Sequence, residues 1–325
     1  MTAVGISALT LSRLSVFLRP ESVLFLPGYK GSAFRGGFGH VFKSIVCPTH
    51  DVDCIHQRLG QCCVYSEVFE TPVPPGSEVM RKYPHAPHPF VLTPPLDNRA
   101  ELTAEDEPCL ELVLVGKAVP WLAYFICTIE ELGRRGIGRR RSRYRIDRVT
   151  SQPQPNGGAG DGTVVYDGVQ RKVVGIPQII QASDLAADPQ QPGALTIRFL
   201  TPARIVSEGE LASQLPFVTL FRTLLRRVAL LAYFHCGQPA DVGAMRQLIA
   251  IAGEVKIRES SLRWWDWKRY STRQRTSMKL GGVVGEVTYE GDFGRFMPYL
   301  RAGEFLHVGK GTSFGLGKYA LVIPE

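Results

Sequence analysis

The stretch ALTLSRLSVFLRPESVLFLPGYKGSAFRGGFGHVFKSIV, residues 8–46, decides the fold of the first half of the chain. Apolar and polar residues alternate in the second half of Ala8 to Leu18, which predicts a first β-strand. A Pro-Gly pair at positions 27–28 indicates a turn, and Ser32 is of a type that caps helices. The stretch therefore predicts a strand and then a helix that runs to about Val46.

The predicted helix is amphipathic. At about 100° per residue its apolar side chains fall on one narrow stripe, which consists of Phe34, Phe38, Val41, Phe42 and Ile45. His40 and Lys43 lie on the opposite side, together with Gly36 and Gly39. Each glycine weakens a helix by about 1 kcal/mol relative to alanine. The glycines therefore indicate either close packing against another element or close approach of a polyanionic backbone.

Further along the chain the spacing of apolar residues continues to alternate between strand and helix periods. In the first half it predicts strands at Val64–Glu70 and Leu110–Val119, a helix at Trp121–Leu132 and an extended segment at Arg139–Thr150. In the second half it predicts strands at Ala194–Val206, Leu262–Ser271, Leu280–Tyr289, Glu304–Val308 and Lys318–Ile323, and helices at Leu215–Cys236, Val242–Glu254 and Gly294–Ala302.

Strand, helix and strands thus occur twice, which predicts an α+β fold with tandem ferredoxin-like (RNA-recognition-type) domains. The first domain is placed at residues 1–170, with cysteine-rich and arginine-rich insertions. The second is placed at residues 171–325 and carries a glycine-rich loop.

The composition is that of a globular chain. Among 325 residues, 44% are hydrophobic and 21% charged, which excludes a disordered, collagen-like or coiled-coil protein. Basic residues number 38 and acidic residues 30, and the net charge of +8 favours a polyanionic partner. The sequence predicts no membrane span and no secretory signal. Seven cysteines, an odd number, indicate a reducing cytoplasm with thiols or a metal.

Four cysteines and two histidines lie within the seventeen residues 47–63, and thiolates with imidazoles suit tetrahedral zinc. The spacing C-x6-C-x7-C-C contains no C-x2-C knuckle. The predicted ligands are Cys47, Cys54, His56 and Cys63, with His50 and Cys62 as alternatives. A loop of free thiols is the other interpretation.

Eight arginines lie between Arg134 and Arg148 with a single acid, Asp147. Guanidinium groups bind phosphates bidentately, so this density predicts contact with a nucleic-acid backbone, and a solvated surface is the alternative. The predicted contacts are Arg139, Arg140, Arg141 and Arg143.

The stretch RWWDWKRYSTRQR, residues 263–275, combines three tryptophans and a tyrosine with basic residues. Aromatic faces beside cations stack single-stranded bases and neutralise their phosphates. The alternative is that the tryptophans alternate into the core of a strand. The predicted RNA contacts are Lys268, Arg269, Arg273 and Arg275.

The stretch GKGTSFGLGKY, residues 309–319, holds four glycines in its first nine residues. The amides of such a loop can bind phosphate, although the predicted strand that follows excludes a P-loop. The predicted contacts are Lys310, Gly311, Ser313, Gly315 and Lys318.

Several of these stretches together resemble one family. They are PGYKGSAFRGGFGH (27–40) with CVYSEVF (63–69), WKRYS (267–271) through KLGGVVGEV (279–287), and HVGKGTSFGLGKY (307–319). They are similar to the CRISPR precursor-crRNA-processing endoribonucleases of the RAMP superfamily. The glycine-rich terminus is the most specific part of the resemblance.

The resemblance implies an endoribonuclease that binds CRISPR repeat RNA and cleaves precursor crRNA once per repeat. It implies no cofactor for catalysis, because the 2′-hydroxyl attacks the adjacent phosphate and leaves a cyclic phosphate. Members of the family place a histidine in or near the first helix, often with a tyrosine and a lysine. This implies His40 as acid/base, Lys43 as charge stabiliser and Tyr29 as helper, with Arg35 among the RNA contacts.

Other assignments remain open from the sequence. His307, before the glycine-rich loop, is the competing catalytic histidine, and His235, in an apolar helix, is predicted to be structural. A non-catalytic RAMP subunit that binds crRNA in a CRISPR effector complex is the alternative function. A zinc-containing regulator that binds duplex DNA is a third.

Overall fold

The computed structural model describes residues 5–47, 63–97, 99–138, 140–153, 162–185, 192–266, 268–271, 276–279 and 281–323, with the backbone alone at 183, 268–271 and 276–279. The chain forms two compact units. The N-terminal unit comprises Thr10–Ile179 with Phe234–Cys236, and the C-terminal unit comprises Met1–Leu9, Ile180–Tyr233 and Gly237–Glu325. The division after Ile179 lies closer to the C-terminus than the boundary predicted at residue 170.

The N-terminal unit contains an antiparallel sheet and two long helices. Its strands are β1 (Thr10–Pro20), β2 (Leu24–Phe25), β3 (Phe90–Thr93), β4 (Glu101–Leu102), β5 (Cys109–Val115), β6 (Tyr144–Ser151), β7 (Thr163–Asp167) and β8 (Lys172–Val173). Its helices are α1 (Gly31–Val46) and α2 (Leu122–Arg135), with a π-helical turn at Ser66–Glu70 and a 3-10 helix at Gly116–Trp121.

The topology of this unit is ferredoxin-like. The chain order of the central elements is β1-α1-β3-β5-α2-β6, and the strands lie in the sheet in the order β3-β5-β1-β6. Each neighbouring pair is antiparallel, and β7 and β8 extend the sheet beyond β6. This is the βαββαβ arrangement predicted from the sequence.

The core of the N-terminal unit joins one face of β1 to the apolar stripe of α1. Phe38 stacks on Phe42 and on Phe125 of α2, with 5.5 and 5.4 Å between ring centroids. The predicted stripe is confirmed except at its end, because Ile45 is 37% exposed.

One predicted strand of this unit is wrong, and another ends earlier than predicted. Residues 64–70 form helical turns, because Phe69 stacks on Phe42 of α1 at 5.1 Å and Val68 is buried in the core. The strand predicted at Leu110–Val119 ends at Val115. Gly116 there adopts a left-handed φ of +49°, and a Cβ atom at this position would overlap a backbone carbonyl.

The C-terminal unit also combines a sheet with helices. Its strands are β9 (Ile180–Gln181), β10 (Ala194–Ala203), β11 (Val206–Ser207), β12 (Glu210–Leu211), β13 (Lys256–Ser260), β14 (Arg263–Trp265), β15 (Lys268–Ser271), β16 (Thr276–Lys279), β17 (Gly282–Glu290) and β18 (Tyr319–Val322). Its helices are α3 (Ala182–Leu185), α4 (Phe217–Cys236), α5 (Val242–Ala252) and α6 (Met297–Leu306), with a 3-10 turn at Thr312–Phe314.

The same topology recurs in this unit. The chain order is β10-α4-β13-β17-α6-β18 with α5 inserted before β13, and the sheet order is β13-β17-β10-β18. The tandem ferredoxin-like α+β fold is therefore confirmed. In addition β14 pairs with β17, and β15 pairs with β16 as a hairpin. Within the described residues, no helix is long and apolar enough to cross a membrane.

The strand predicted at Glu304–Val308 is wrong, since its first three residues complete α6. The buried carboxylate of Glu304 accepts a hydrogen bond from the Leu321 amide at 3.0 Å. The hydroxyl of Tyr319 donates to the Leu300 carbonyl at 2.7 Å. These two bonds attach α6 to β18, and they need the helical spacing of the groups that accept them.

Candidate functional site

His40 and Lys43 occupy neighbouring positions on α1. His40 is exposed and Lys43 half-buried, and residues three apart on a helix have Cβ atoms about 5–6 Å apart. The Lys43 Nζ lies 5.6 Å from the centroid of the Tyr65 ring, within cation–π range. The structure thus brings an imidazole and an ammonium group together, while their chemical roles remain a prediction.

The glycines of α1 separate into two kinds. An added Cβ at Gly37 would lie 2.7 Å from Leu132 Cδ1 of α2, and one at Gly39 would lie 3.1 Å from the Phe69 ring. Those two positions are explained by close packing. At Gly36 an added Cβ would contact none of the described residues within 4 Å, and Gly36 is exposed one turn before His40. A helical side chain covers the turn on its N-terminal side, so His40 lies over a surface that Gly36 leaves bare.

Tyr29 does not join this pair. Its side chain is buried, and burial raises the pKa of its hydroxyl well above the ordinary value. Tyr29 precedes the first turn of α1, whereas His40 lies about 14 Å further along the helix at 1.5 Å per residue. The structure therefore corrects the predicted helper position. Tyr65, beside Lys43, is the tyrosine near the pair, and its place in the family-like CVYSEVF stretch is the signal that could have identified it.

Arg35 is also misplaced as an RNA contact. It is 8% exposed, and its guanidinium carbon lies 4.3 Å from the Phe69 ring centroid and 5.1 Å from that of Phe90. This cation packs on aromatic faces inside the N-terminal unit.

His307 and His235, the two other histidines considered from the sequence, are both buried. His307, the competing catalytic histidine, is fully buried and has a left-handed φ of +61° after the last turn of α6. Its Nδ1 lies 3.2 Å from the Leu316 carbonyl oxygen. His235 is buried as predicted, with its Nε2 at 2.7 Å from the Pro87 carbonyl oxygen. Neither imidazole is accessible to a large substrate.

The eight arginines between Arg134 and Arg148 are called the basic arm below. Some of them form ion pairs with carboxylates, and others form none within the described part of the chain. Glu131 accepts hydrogen bonds from Arg134 and Arg135 at 2.7 and 2.6 Å, and these bonds lower its pKa to about 2. Arg148 pairs with Glu107 at 3.0 Å and with Asp147 at 2.8 Å. Arg134, Arg135 and Arg148 are therefore paired with carboxylates. Two of these carboxylates, Glu107 and Glu131, lie outside the segment between Arg134 and Arg148.

The remaining described arginines of the arm are exposed. Arg140, Arg141 and Arg143 line an open groove of about 560 Å³ together with Phe25 and with Glu21, Ser22, Val23 and Ser142. The predicted contact Arg139 lies outside the described residues. Sequence reasoning missed Phe25 and Glu21, because they precede α1 and only the folded unit brings them to the arm.

The tryptophans of the C-terminal unit are accessible. Trp264 and Trp265 are 42% and 40% exposed, although neighbouring residues of a strand point to opposite faces. The Trp264 indole nitrogen donates to Asp266 at 2.9 Å. The alternative that the tryptophans alternate into the core of a strand is therefore wrong for these two, because both are accessible. The side chains of Lys268 and Arg269, and all of Arg273 and Arg275, lie outside the described residues.

The glycine-rich loop uses its amides largely within its own unit. The Lys310 amide donates to the Arg204 carbonyl at 2.8 Å, and the Gly317 amide donates to the Pro202 carbonyl at 2.9 Å. Gly311 and Gly315 both adopt left-handed φ angles, near +80° and +83°. Ser313 and Gly315 are buried, whereas Lys310 is exposed and Lys318 half-buried. Backbone hydrogen bonds therefore hold the loop within the C-terminal unit, and the side chains of Lys310 and Lys318 remain accessible.

The predicted zinc ligands are only partly visible. Cys47 is buried and Cys63 half-buried, whereas Cys54 and His56 lie outside the described residues. Among the side chains that the structure does describe, no cluster of potential metal ligands is present. The zinc site stays a prediction.

Sequence models of protein families match both halves of the chain. Residues 9–177 match the AF_1859_N model, which describes an N-terminal domain. Residues 197–319 match the model of the CRISPR-associated endoribonuclease Cas6. An uncharacterized protein of Archaeoglobus fulgidus is 24% identical over 303 residues, which cover 91% of this chain and 92% of the relative.

Solved structures of the same fold are also similar. A Cas6 product complex has a TM-score of 0.56 at 19% identity, with 96% of this chain and 99% of the other covered. Cas6 of Thermus thermophilus has a TM-score of 0.52 at 17% identity, covering 97% and 99%. A partial Cas6-RT-Cas1–Cas2 complex has a TM-score of 0.58 at 14% identity, covering 100% of this chain and 47% of that one.

The two family models show that the similarity lies in the amino-acid sequence as well as in the fold. The N-terminal match spans more than half of the chain, and the Cas6 match contains the whole glycine-rich stretch on which the resemblance depends. The chain belongs to the family that the AF_1859_N model describes, and the Cas6 match of its second half confirms the resemblance to the CRISPR RNA-processing endoribonucleases.

Proposed function

We propose that this protein is an endoribonuclease that binds CRISPR repeat RNA and cleaves precursor crRNA once in each repeat. The observation that carries the proposal is the exposed His40 on α1, one turn from Lys43 and above the bare surface at Gly36. The Cas6 match of residues 197–319 supports the RNA substrate.

The reaction needs three contributions from the protein. A base takes the proton of the 2′-hydroxyl as its oxygen bonds to the adjacent phosphorus. The bond from phosphorus to the 5′-oxygen breaks, and that oxygen receives a proton. A cation stabilises the negative charge that develops on the phosphorane. The products are a 2′,3′-cyclic phosphate and a 5′-hydroxyl, so protons and electrons balance without a co-reactant.

His40 and Lys43 supply two of these contributions. An imidazole exchanges protons near neutral pH, and His40 is exposed on α1 one turn after Gly36. Lys43, held beside Tyr65, provides positive charge next to it. Tyr29 has no part in this proposal, because its hydroxyl is buried at the start of the helix.

We expect cleavage to continue at an unchanged rate when EDTA removes divalent cations, because His40 exchanges a proton and Lys43 supplies the positive charge that a metal ion would otherwise provide. The measurement is incubation of purified protein with end-labelled repeat RNA, taken from the CRISPR array nearest the gene, in EDTA and in magnesium. A phosphatase or kinase treatment of the products identifies the cyclic phosphate. A requirement for added magnesium would contradict the mechanism, and tight binding without any cut would favour a non-catalytic crRNA-binding subunit.

We expect the groove arginines, rather than the arm as a whole, to bind RNA phosphates. Replacing Arg141 and Arg143 with alanine should reduce the slope of log affinity against log salt by about 1 to 2, since each phosphate contact contributes about 0.7–0.9. The matched control replaces Arg134 and Arg135, which removes the same charge but from groups already paired with Glu131. The measurement is equilibrium binding across a salt series. Equal slopes for the two double variants would remove the groove from the interface.

A further inference from the structure

We propose that the groove lined by Arg140, Arg141 and Arg143 binds one unpaired nucleotide of the RNA, with its base stacked on the Arg140 guanidinium. This inference rests on the proposed function and names a part of the substrate that must be single-stranded.

The stacking surface is built into the fold. The guanidinium carbon of Arg140 lies 3.8 Å from the centroid of the Phe25 ring. Phe25 is fixed in β2, and its amide lies 3.4 Å from the Ser142 hydroxyl on the arm. At Gly138 an added Cβ would lie 2.6 Å from the Phe25 carbonyl oxygen, so the arm and β2 are in close contact. One side of the guanidinium is therefore supported by a ring, and the exposed residue can receive a base on the other.

The loop that presents these arginines is closed and strained. Ile137 and Ser142 exchange two backbone hydrogen bonds, of 2.9 and 3.1 Å, across the base of the loop. Arg141 has a left-handed φ of +52°, which a residue with a side chain rarely adopts. Strained backbone of this kind clusters at ligand-binding loops.

The groove also has the charges that a nucleotide needs. In the part of the chain that the structure describes, Arg140, Arg141 and Arg143 form no ion pair, in contrast to Arg134 and Arg135. Two guanidinium groups besides the stacking one are thus available for phosphate oxygens. Glu21 lines the same groove, and a carboxylate accepts hydrogen bonds from the amino group of a base.

These features favour an unpaired nucleotide over a duplex. A paired base inside a helix is stacked on both faces, so a guanidinium cannot cover it unless the base leaves the stack. The volume of about 560 Å³ is in the range of pockets that hold one small molecule. Glu21 further predicts a base with an amino group, which adenine, cytosine and guanine have and uracil lacks.

The test uses full-length protein and repeat RNA in which 2-aminopurine replaces one nucleotide at a time. A 2′-deoxynucleotide at the mapped cleavage position prevents cutting. We expect binding to quench the fluorophore at a position in the groove, because stacking on a guanidinium plane changes its emission. In Arg140→Lys, which keeps the charge but not the planar group, that quench should be lost while the salt slope stays unchanged.

Two further variants separate stacking from charge. Arg140→Ala should raise the Kd on the order of tenfold, as expected for loss of one stacked base, and Arg134→Ala should leave the quench unchanged. Thermal melts confirm that the variants, which change exposed side chains, remain folded. If wild type binds the RNA and Arg140→Lys quenches every position as wild type does, the inference is overturned and the proposed function stands. If wild type does not bind repeat RNA at all, the proposed function itself fails.

Discussion

His40→Ala should lower the rate of repeat-RNA cleavage by about 100- to 10,000-fold, the usual contribution of general acid–base catalysis, while the Kd for the RNA stays unchanged. In the proposed mechanism the imidazole of His40 carries the proton, and its removal leaves Lys43 and the exposed turn at Gly36 in place. The measurement is a single-turnover cleavage rate together with an equilibrium Kd for the same RNA.

The matched control is His85→Ala. His85 is an exposed histidine of the same unit, and its Nδ1 lies 2.5 Å from the Glu70 carbonyl oxygen. We expect this variant to cleave at the wild-type rate. If His40→Ala cleaved the RNA at a rate close to that of wild type, His40 would not be the catalytic residue. Loss of activity in His307→Ala should instead accompany a lower melting temperature, because that imidazole is fully buried.

Gly303→Val should destabilise the C-terminal unit by about 3 kcal/mol, which is at the upper end of ordinary overpacking. An added Cβ at Gly303 would overlap the Tyr319 hydroxyl oxygen and lie 2.7 Å from Leu224 Cδ1 of α4. The hydroxyl cannot move away without losing its hydrogen bond to the Leu300 carbonyl. The measurement is the free energy of unfolding from a denaturant titration.

Gly243→Ala is the control for this substitution. Gly243 also lies in a helix, α5, but an added Cβ there would meet only Asp241 Oδ1, at an ordinary 3.7 Å. We expect that variant to be as stable as wild type or more so. In the background Tyr319→Phe, Gly303→Ala should cost less than it does in wild type, since the overlapping oxygen is gone. Equal costs in the two backgrounds would show that the hydroxyl is not the obstacle.

Much of the fold follows from local sequence because the decisive signals are periodic. The stripe of α1 predicts its buried face, and the repeated order of strand and helix predicts both ferredoxin-like units. The two segments that fail, at 64–70 and 304–308, are short, and tertiary contacts decide their conformation. Phe69 stacks on Phe42 of α1, and Glu304 accepts a hydrogen bond from the Leu321 amide of β18. Neither partner is adjacent in sequence.

The site is less predictable than the fold for the same reason. Sequence alone treats the arginines of the arm as equivalent, yet Glu131 lies one turn before Arg134 and Arg135 and forms ion pairs with both. The helical period contains that signal, because residues three and four apart are neighbours. In contrast, no local pattern indicates that Arg35 packs on Phe90 or that Phe25 meets Arg140, since those contacts exist only in the folded unit.

The glycines of α1 make the position of His40 depend on tertiary packing. A helix of sixteen residues is marginal on its own even when rich in alanine, and Gly36, Gly37 and Gly39 each cost about 1 kcal/mol more than alanine. The free peptide 31–46 should therefore be a coil, and α1 takes its shape from α2 and the aromatic core. Loss of its packing against α2 should therefore expose its amide protons to exchange with solvent. The proposed catalytic position of His40 therefore depends on the packing of α1, and a chain in which this packing is lost does not hold His40 beside Lys43.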